Sequence, residues 1–363
     1  MSSEFGNYLK ISLFGESHGN AVGVTIHNLP PGETVDIDEI ERILARRSGG
    51  RQFTTERKER DEVCFISGVY NGKTTGAPLC AIIKNEDFIP RDYEKIKTLP
   101  RPSHADYPAY VKYKGFNDER GGGHFSGRLT APVCAAGALC MQILNRRGVG
   151  IGAHIYSVYD IYDTPFNTNK VSCELFDSIK YKTLPVVNDD IINKMLDKIT
   201  EAAGNSDSVG GIVECAVTGL KAGIGAPVFD GVENRLSAAV FGIGAVRGIE
   251  FGAGFSAPLM YGSEHNDPYF IENGEIKTKT NNHGGILGGI TSGMPVIFRV
   301  AFKPTPSIGK TQDTIDLKTM TDQKITIEGR HDPCIVPRAV PCVESITAVT
   351  ILDLLLENDT DGR

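Results

Sequence analysis

Glycine-rich loops that carry histidines and arginines recur along this chain, and that recurrence limits what it can fold into. Gly15-Glu16-Ser17-His18-Gly19 follows a short apolar run, Ile11 to Phe14, that reads as a strand. Ser48-Gly49-Gly50 interrupts a run of arginines, Arg120-Gly121-Gly122-Gly123-His124-Phe125-Ser126-Gly127-Arg128 leads into a long apolar stretch, and Asn281-Asn282-His283-Gly284-Gly285-Ile286-Leu287-Gly288-Gly289 leads into a strand. Glycine permits backbone conformations and close ligand approaches that other residues forbid. No linker separates these loops, so one composite site built by the whole fold explains them better than separate domains. The 41 glycines follow no period, which excludes collagen-like and low-complexity architectures.

The elements between the loops mix strands and helices. Strands are expected at Gly23–Ile26, Val63–Ser67, Leu79–Lys84, Gly150–Ile161, Gly211–Thr218, Val246–Phe251 and Pro295–Phe302. Asp36 and Glu39 have capping-box spacing, and Ile37, Ile40, Ile43 and Leu44 then share one face of a helix running to about Arg47. Further helices are expected at Ala131–Arg147, Asp189–Ala203, Asn234–Phe241 and Val340–Glu357. Gly148-Val149-Gly150-Ile151-Gly152-Ala153 imitates a dinucleotide fingerprint, but it follows a helix and enters a strand, the reverse of what that motif needs. Gly242-Ile243-Gly244-Ala245 likewise ends a helix, and the triglycine loop lacks the Gly-Lys-Ser/Thr ending of a Walker A loop.

Charge narrows the partners. The net charge of -7 argues against general nucleic-acid binding. Yet between Arg42 and Arg60 there are seven basic residues (Arg42, Arg46, Arg47, Arg51, Arg57, Lys58, Arg60) and two acids (Glu56, Glu59). Six arginines to one lysine favours planar, forked recognition of carboxylate or phosphate over a merely solvated helix end. The N-terminus shows no basic region followed by an apolar one, no apolar run approaches membrane-spanning length, and the eight cysteines include no Cys-x-x-Cys. The expectation is a cytoplasmic protein with mostly buried thiols and no membrane segment.

In Arg101-Pro102-Ser103-His104-Ala105-Asp106-Tyr107 a carboxylate two residues after His104 can orient its ring. Lys303-Pro304-Thr305-Pro306-Ser307 is stiff and polar, suited to a phosphate or a heteroaromatic ring edge, and Arg330-His331-Asp332-Pro333-Cys334 precedes the last helix. The ionisable set (His18, His104, Asp332, with His124 and His283) suits proton transfer on an extended anionic ligand. Two other readings compete. A metal-dependent phosphoesterase would use the same histidines with Asp332, but no His-x-His or His-Glu-x-x-His spacing supports it. A non-catalytic nucleotide-binding module accounts for the glycines but not for histidines beside arginines.

Five of these stretches, in order and over nearly the whole chain, resemble the signatures of chorismate synthases: Gly15–Gly19, Arg101–Tyr107, Gly121–Arg128, Asn282–Gly289 and Arg330–Cys334. The resemblance implies an α+β fold, a single-domain β-α-β sandwich with helices packed between two antiparallel sheets, spanning 1–357 with a flexible tail at 358–363. It implies a homotetramer that eliminates phosphate from 5-enolpyruvylshikimate 3-phosphate to give chorismate. Reduced flavin mononucleotide (FMN) is required without net redox change, and NADPH enters only if the enzyme also reduces its own flavin. It assigns His18 to protonating the leaving phosphate, His104 to protonating reduced flavin, and Asp332 to helping the flavin N5 take up the C6 proton. Arg47, Arg51 and Arg128 would hold the substrate's anionic groups. His124, Phe125, Ser126, Gly244, Ala245, Gly288, Lys303, Pro304, Thr305, Pro306, Ser307 and Arg330 would contact the flavin, and no metal is implied. The chain departs from the family pattern in having His124-Phe125-Ser126 where many members have Arg-Ser-Ser, and Ser103 where glycine is usual.

Overall fold

A computed structural model describes residues 3–49, 61–85, 98–327 and 332–360. Two five-stranded antiparallel sheets enclose a layer of helices. The first sheet comprises β1 (Glu4–Phe5), β2 (Lys10–Gly15), β3 (Ala21–His27), β4 (Val63–Ser67) and β7 (Leu79–Lys84), in the order β1-β2-β3-β7-β4. A small hairpin, β5 (Val69–Tyr70) and β6 (Lys73–Thr74), turns at Asn71-Gly72 between β4 and β7. The second sheet comprises β8 (Gly150–Val158), β9 (Ile161–Tyr162), β10 (Gly211–Thr218), β11 (Val246–Phe251) and β16 (Val296–Phe302), in the order β11-β16-β10-β8-β9. Three further hairpins lie outside both sheets: β12/β13 (Tyr269–Glu272, Glu275–Thr278), β14/β15 (Ile286–Leu287, Ile290–Thr291) and β17/β18 (Gln312–Asp316, Thr321–Ile325).

The helices are α1 (Ile37–Arg47), α2 (Asp106–Lys112), α3 (Thr130–Arg146), α4 (Cys173–Lys180), α5 (Ile192–Gly204), α6 (Val232–Val240), α7 (Gly262–His265) and α8 (Val336–Thr360). The Asp36 side chain accepts from the Glu39 amide, so α1 starts where its capping signal places it. Ile40, Ile43 and Leu44 are buried, but Ile37, the first residue of the helix, is 45 % exposed. In the middle layer α3 packs on β3 and β7, α8 packs on β8 and β10, and the two helices pack on each other. Both are long and apolar enough to cross a bilayer, which the search for apolar runs does not anticipate. Here they lie mostly buried between the sheets, as core helices do.

α8 begins four residues before its expected start at Val340 and continues to Thr360, three residues into the expected tail. It is apolar on nearly every side because protein surrounds it, so no amphipathic stripe marks its start. Its few buried carboxylates tie the layers together. Glu344 accepts from both ends of the Arg46 fork and from the Ala153 amide on β8. Asp353 accepts from the backbone amides of Asn7, Tyr8 and Leu9, anchoring the entry to β2.

Candidate functional site

The first loop leaves β2 at Gly15, whose φ of 97° lies in the region glycine favours. Ser17 and His18 then turn inward and are 6 % and 4 % exposed. Asn85 holds the bend by donating to the carbonyls of Glu16 and Gly19, and the Ser17 amide donates to the Gly123 carbonyl. The triglycine loop therefore lies directly on the first loop.

That loop brings together two histidines far apart in sequence. All three glycines have positive φ. A Cβ on Gly121 would lie 2.2 Å from His18 Cε1, and one on Gly122 would lie 2.9 Å from His104 Cε1. Consecutive glycines thus touch the two imidazoles, and only a backbone without side chains fits between them.

Asp106, the first residue of α2, orients His104. One carboxylate oxygen lies 2.6 Å from His104 Nδ1 and 2.8 Å from Arg101 Nη2, and the other accepts from Arg101 Nε at 2.7 Å and from the Arg101 amide. Burial works to raise the Asp106 carboxyl, but hydrogen bonds from Arg101 and His104 outweigh it and hold it below the usual carboxylate range. An ionised Asp106 can only accept, so the His104 Nδ1 beside it carries the proton of that bond. Ser103, just before, has a φ of 58°, in the left-handed region that favours glycine.

A cavity of about 550 Å³ opens beside this loop. Its wall brings together Arg47, His104, Phe125, Ser126, Arg128, Gly244, Ala245, Lys303, Thr305, Pro306, Ser307 and Asp332. All of these are expected site residues, and they span the chain from α1 to the approach to α8. Gly244 and Ala245 fill the turn between α6 and β11, where Ala245 accepts from the Lys303 amide. The Lys303–Ser307 segment leaves β16 across this turn, and the Lys303 ammonium donates to the Ser103 carbonyl at 2.5 Å. Burial first, and then the neighbouring Arg247, push Lys303 below its ordinary value. Among the described residues no carboxylate pairs with either cation.

The arginines are already engaged. Arg47 Nη1 donates to Asp61 Oδ2 at 2.6 Å and its Nε to Thr130 Oγ1 at 3.0 Å, while Arg128 pairs with the other Asp61 oxygen and donates to Asn85 Oδ1 and the Lys84 carbonyl. Burial works to raise Asp61, but Arg47 and then Arg128 hold it lowered. One carboxylate thus faces two guanidinium groups. Asp332 pairs with Arg338, whose Nε donates to the Arg47 carbonyl at 2.8 Å, linking the two sides of the cavity.

Other expected residues sit elsewhere. His18 stands behind Gly121 rather than on the cavity wall, although Ser126 Oγ reaches Ser17 Oγ at 3.2 Å. His124, expected at the flavin, places Nδ1 2.8 Å from the Gly15 carbonyl and Nε2 2.7 Å from Ser3 Oγ, so its ring ties the loop to the first sheet. Gly288 forms the tip of the β14/β15 hairpin, and neither it nor Pro304 lines the cavity. His283 folds back on its own loop, its Nδ1 accepting from the Gly285 amide and its Nε2 lying 3.1 Å from Asp267. Arg51 and Arg330 lie outside the described residues, as do Arg57, Lys58, Arg60, His331 and positions 361–363 of the tail. Sequence reasoning misses Asp61, Arg247 and Arg338, and reads Arg101 only as part of a motif. Each acts through a partner distant in sequence or on a different element, and residue spacing carries no signal for that. Among the described residues no three His, Cys, Asp or Glu side chains come together as a metal site of the kind a metal-dependent phosphoesterase needs.

The family model for chorismate synthase matches residues 9–356. The chain is 46 % identical over 351 residues to the chorismate synthase of Thermococcus gammatolerans, covering 97 % of each chain. It is 43 % identical over 370 residues to that of Methanocaldococcus jannaschii, covering 98 % of this chain and 97 % of that one. A crystal structure of a chorismate synthase superposes with a TM-score of 0.76 at 26 % identity, covering 97 % of this chain and 93 % of the other.

Proposed function

The chain belongs to the chorismate synthase family, and we propose that its cavity holds reduced FMN beside the substrate, with His18, His104 and Asp332 handling protons. The reaction is the family's: a lyase step of aromatic biosynthesis in which 5-enolpyruvylshikimate 3-phosphate loses phosphate to give chorismate. The observation that carries the cofactor reading is the cavity wall itself. It combines flat apolar surface (Phe125, Phe241, Ile243), open backbone at Gly244 and two cations, Lys303 and Arg247, that press on one another. A planar heteroaromatic ring bearing a phosphate matches that set, because the phosphate relieves the repulsion between the cations. Reduced flavin, when bound, supplies an electron-rich ring system to the reaction.

The protein's own groups do the rest. The guanidinium groups of Arg47 and Arg128, both on the cavity wall, bind the substrate's anionic groups. His18, buried behind Gly121, holds a proton for the leaving phosphate, since expelling that group as a full anion is costly. His104, its Nδ1 committed to Asp106, keeps Nε2 for proton exchange with the flavin. Asp332, held by Arg338, takes part in the proton removal that accompanies elimination. Arg51 and Arg330 belong to the same proposal through the family pattern.

The assembly belongs to the proposal too. Phe255, Leu259, Tyr261, Ile271 and Ile276 are 70–88 % exposed, large apolar side chains that a homotetramer would cover. Gly288, remote from this chain's cavity, would reach flavin only in such an assembly. A cytoplasmic location fits the eight free thiols.

Anaerobic titration of reduced FMN in the presence of substrate tests the cofactor reading. A shifted flavin spectrum is expected for the native protein, and Lys303→Met should weaken binding by about 1.5–3 kcal/mol. No flavin binding at any concentration would overturn it.

A further inference from the structure

Two thiols that the elimination does not use lie at the base of the cavity. Cys134 on α3 and Cys342 on α8 approach to 3.9 Å between their sulfurs. Both are buried, Cys134 fully and Cys342 to 3 % exposure, but only Cys342 touches the cavity wall. The approach follows from helix packing. About one turn further along both helices, a Cβ on Gly137 would lie 2.3 Å from Ser345 Cα, so α3 and α8 touch through their backbones there.

We propose that Cys134 and Cys342 form a peroxide-reactive dithiol, an oxidation site that closes to a disulfide in the wall of the active cavity. Cys342 is the attacking group, because it is the one of the two that touches the cavity. The Cys134 S–H donates to its sulfur, and the Arg47 and Arg338 cations lie near it; together they outweigh burial and lower the Cys342 thiol, while burial raises Cys134. The Cys342 thiolate attacks one oxygen of hydrogen peroxide, the O–O bond breaks, and hydroxide leaves, giving a sulfenic acid. The Cys134 sulfur then attacks the Cys342 sulfur, the S–O bond breaks, and the Cys134 proton departs with the oxygen as water. The two thiols lose two electrons in all, and one peroxide becomes two waters. The sulfurs must close from 3.9 Å to the roughly 2 Å of a disulfide.

Closure reaches the site through Arg338. Cys342 Sγ lies 3.3 Å from the Arg338 carbonyl, one turn earlier on α8. Moving that turn shifts the guanidinium that holds Asp332 and meets the Arg47 carbonyl, so the oxidised protein loses activity and a dithiol reductant restores it. The loss of activity rests on the roles proposed above for Asp332 and Arg47, but the cross-link does not.

The test exposes the full-length protein to graded hydrogen peroxide, alkylates the remaining thiols after unfolding and maps the peptides by mass spectrometry. The exposed Cys64 and Cys173 report the oxidant dose. The expected result is a Cys134–Cys342 linked peptide that rises as chorismate formation falls, with both changes reversed by dithiothreitol. In Cys134→Ala the sulfenic acid has no resolving thiol, so dimedone should label Cys342 and no cross-link should form. Recovery of Cys134 and Cys342 as free thiols at doses that consume Cys64 and Cys173 would overturn the dithiol. Cross-linked protein with undiminished turnover would overturn its link to the site while leaving the oxidation chemistry standing.

Discussion

Three glycines of one loop provide a graded test of how the site is built. Gly121→Ala places a methyl group 2.2 Å from His18 Cε1 and 2.4 Å from Nδ1, at a φ of 59°. An ordinary carbon contact is about 3.5 Å, so the ring must retreat by roughly 1.3 Å. His18 is 4 % exposed, Ser17 Oγ lies 2.9 Å from the same methyl, and the ring has nowhere to go without moving the strand end. The left-handed backbone adds about 1–2 kcal/mol and the overpacking about 1–3 kcal/mol to the cost in stability. A misplacement near 1 Å costs on the order of 100-fold in rate. Gly122→Ala meets His104 instead, at 2.9 Å, and should perturb the bound flavin's spectrum more than phosphate release. Gly127→Ala meets nothing within 4 Å and should behave like the native protein. The assay pairs single-turnover phosphate release with thermal denaturation. Gly121→Ala retaining phosphate release within about threefold of Gly127→Ala would refute the placement of His18 as a group whose position matters.

Four further outcomes follow. Arg47→Lys keeps the charge but cannot serve Asp61, Thr130 and a substrate anion together, so substrate Kd should weaken by about 1–3 kcal/mol; an unchanged Kd removes Arg47 from the binding site. Asp332→Asn should leave Tm nearly unchanged and lower kcat by about two orders of magnitude, whereas lost stability with normal kcat would make it structural. Ser103→Gly relieves a left-handed serine and should be neutral or raise stability by up to about 1 kcal/mol, read as Tm. His154, buried between Asp163 and Glu214, tests the second sheet: burial alone would lower its pKa, but the bonds its ring donates to both carboxylates overrule it and raise it. The stability from this raised histidine is complete below its unfolded pKa and is lost as pH rises through the folded value. A fall in Tm on the alkaline side should therefore vanish in His154→Gln, and the same slope in both proteins would exclude the cluster.

Much of the fold is legible in the chain. Val63–Ser67, Leu79–Lys84, Gly211–Thr218 and Val246–Phe251 carry turn signals at both ends, and the strands occupy those bounds. α1 is marked by its Asp36 cap. What sequence hides is set by tertiary surroundings. The basic end of α1 reads as a cluster for an anionic ligand, yet Arg46 and Arg47 are buried and paired with Glu344 and Asp61 on other elements, partners that residue spacing does not reveal. The stretch after β9, for which the sequence suggests no element, holds α4 and is fastened by Asp163, which accepts from the amides of Val187 and Asn188. At the site, motifs locate His104, Asp332 and Lys303 on the cavity, while His124 shows the limit of a motif. Its place in the loop suits a ligand contact, but its ring is spent on Ser3 and Gly15.

The most direct test of the account is anaerobic turnover of 5-enolpyruvylshikimate 3-phosphate, with chorismate followed by absorbance and released phosphate measured in parallel. Equal amounts of both products that appear only with reduced FMN, and that survive a strong metal chelator, are the expected result. Phosphate release that ignores flavin and stops with the chelator would contradict it.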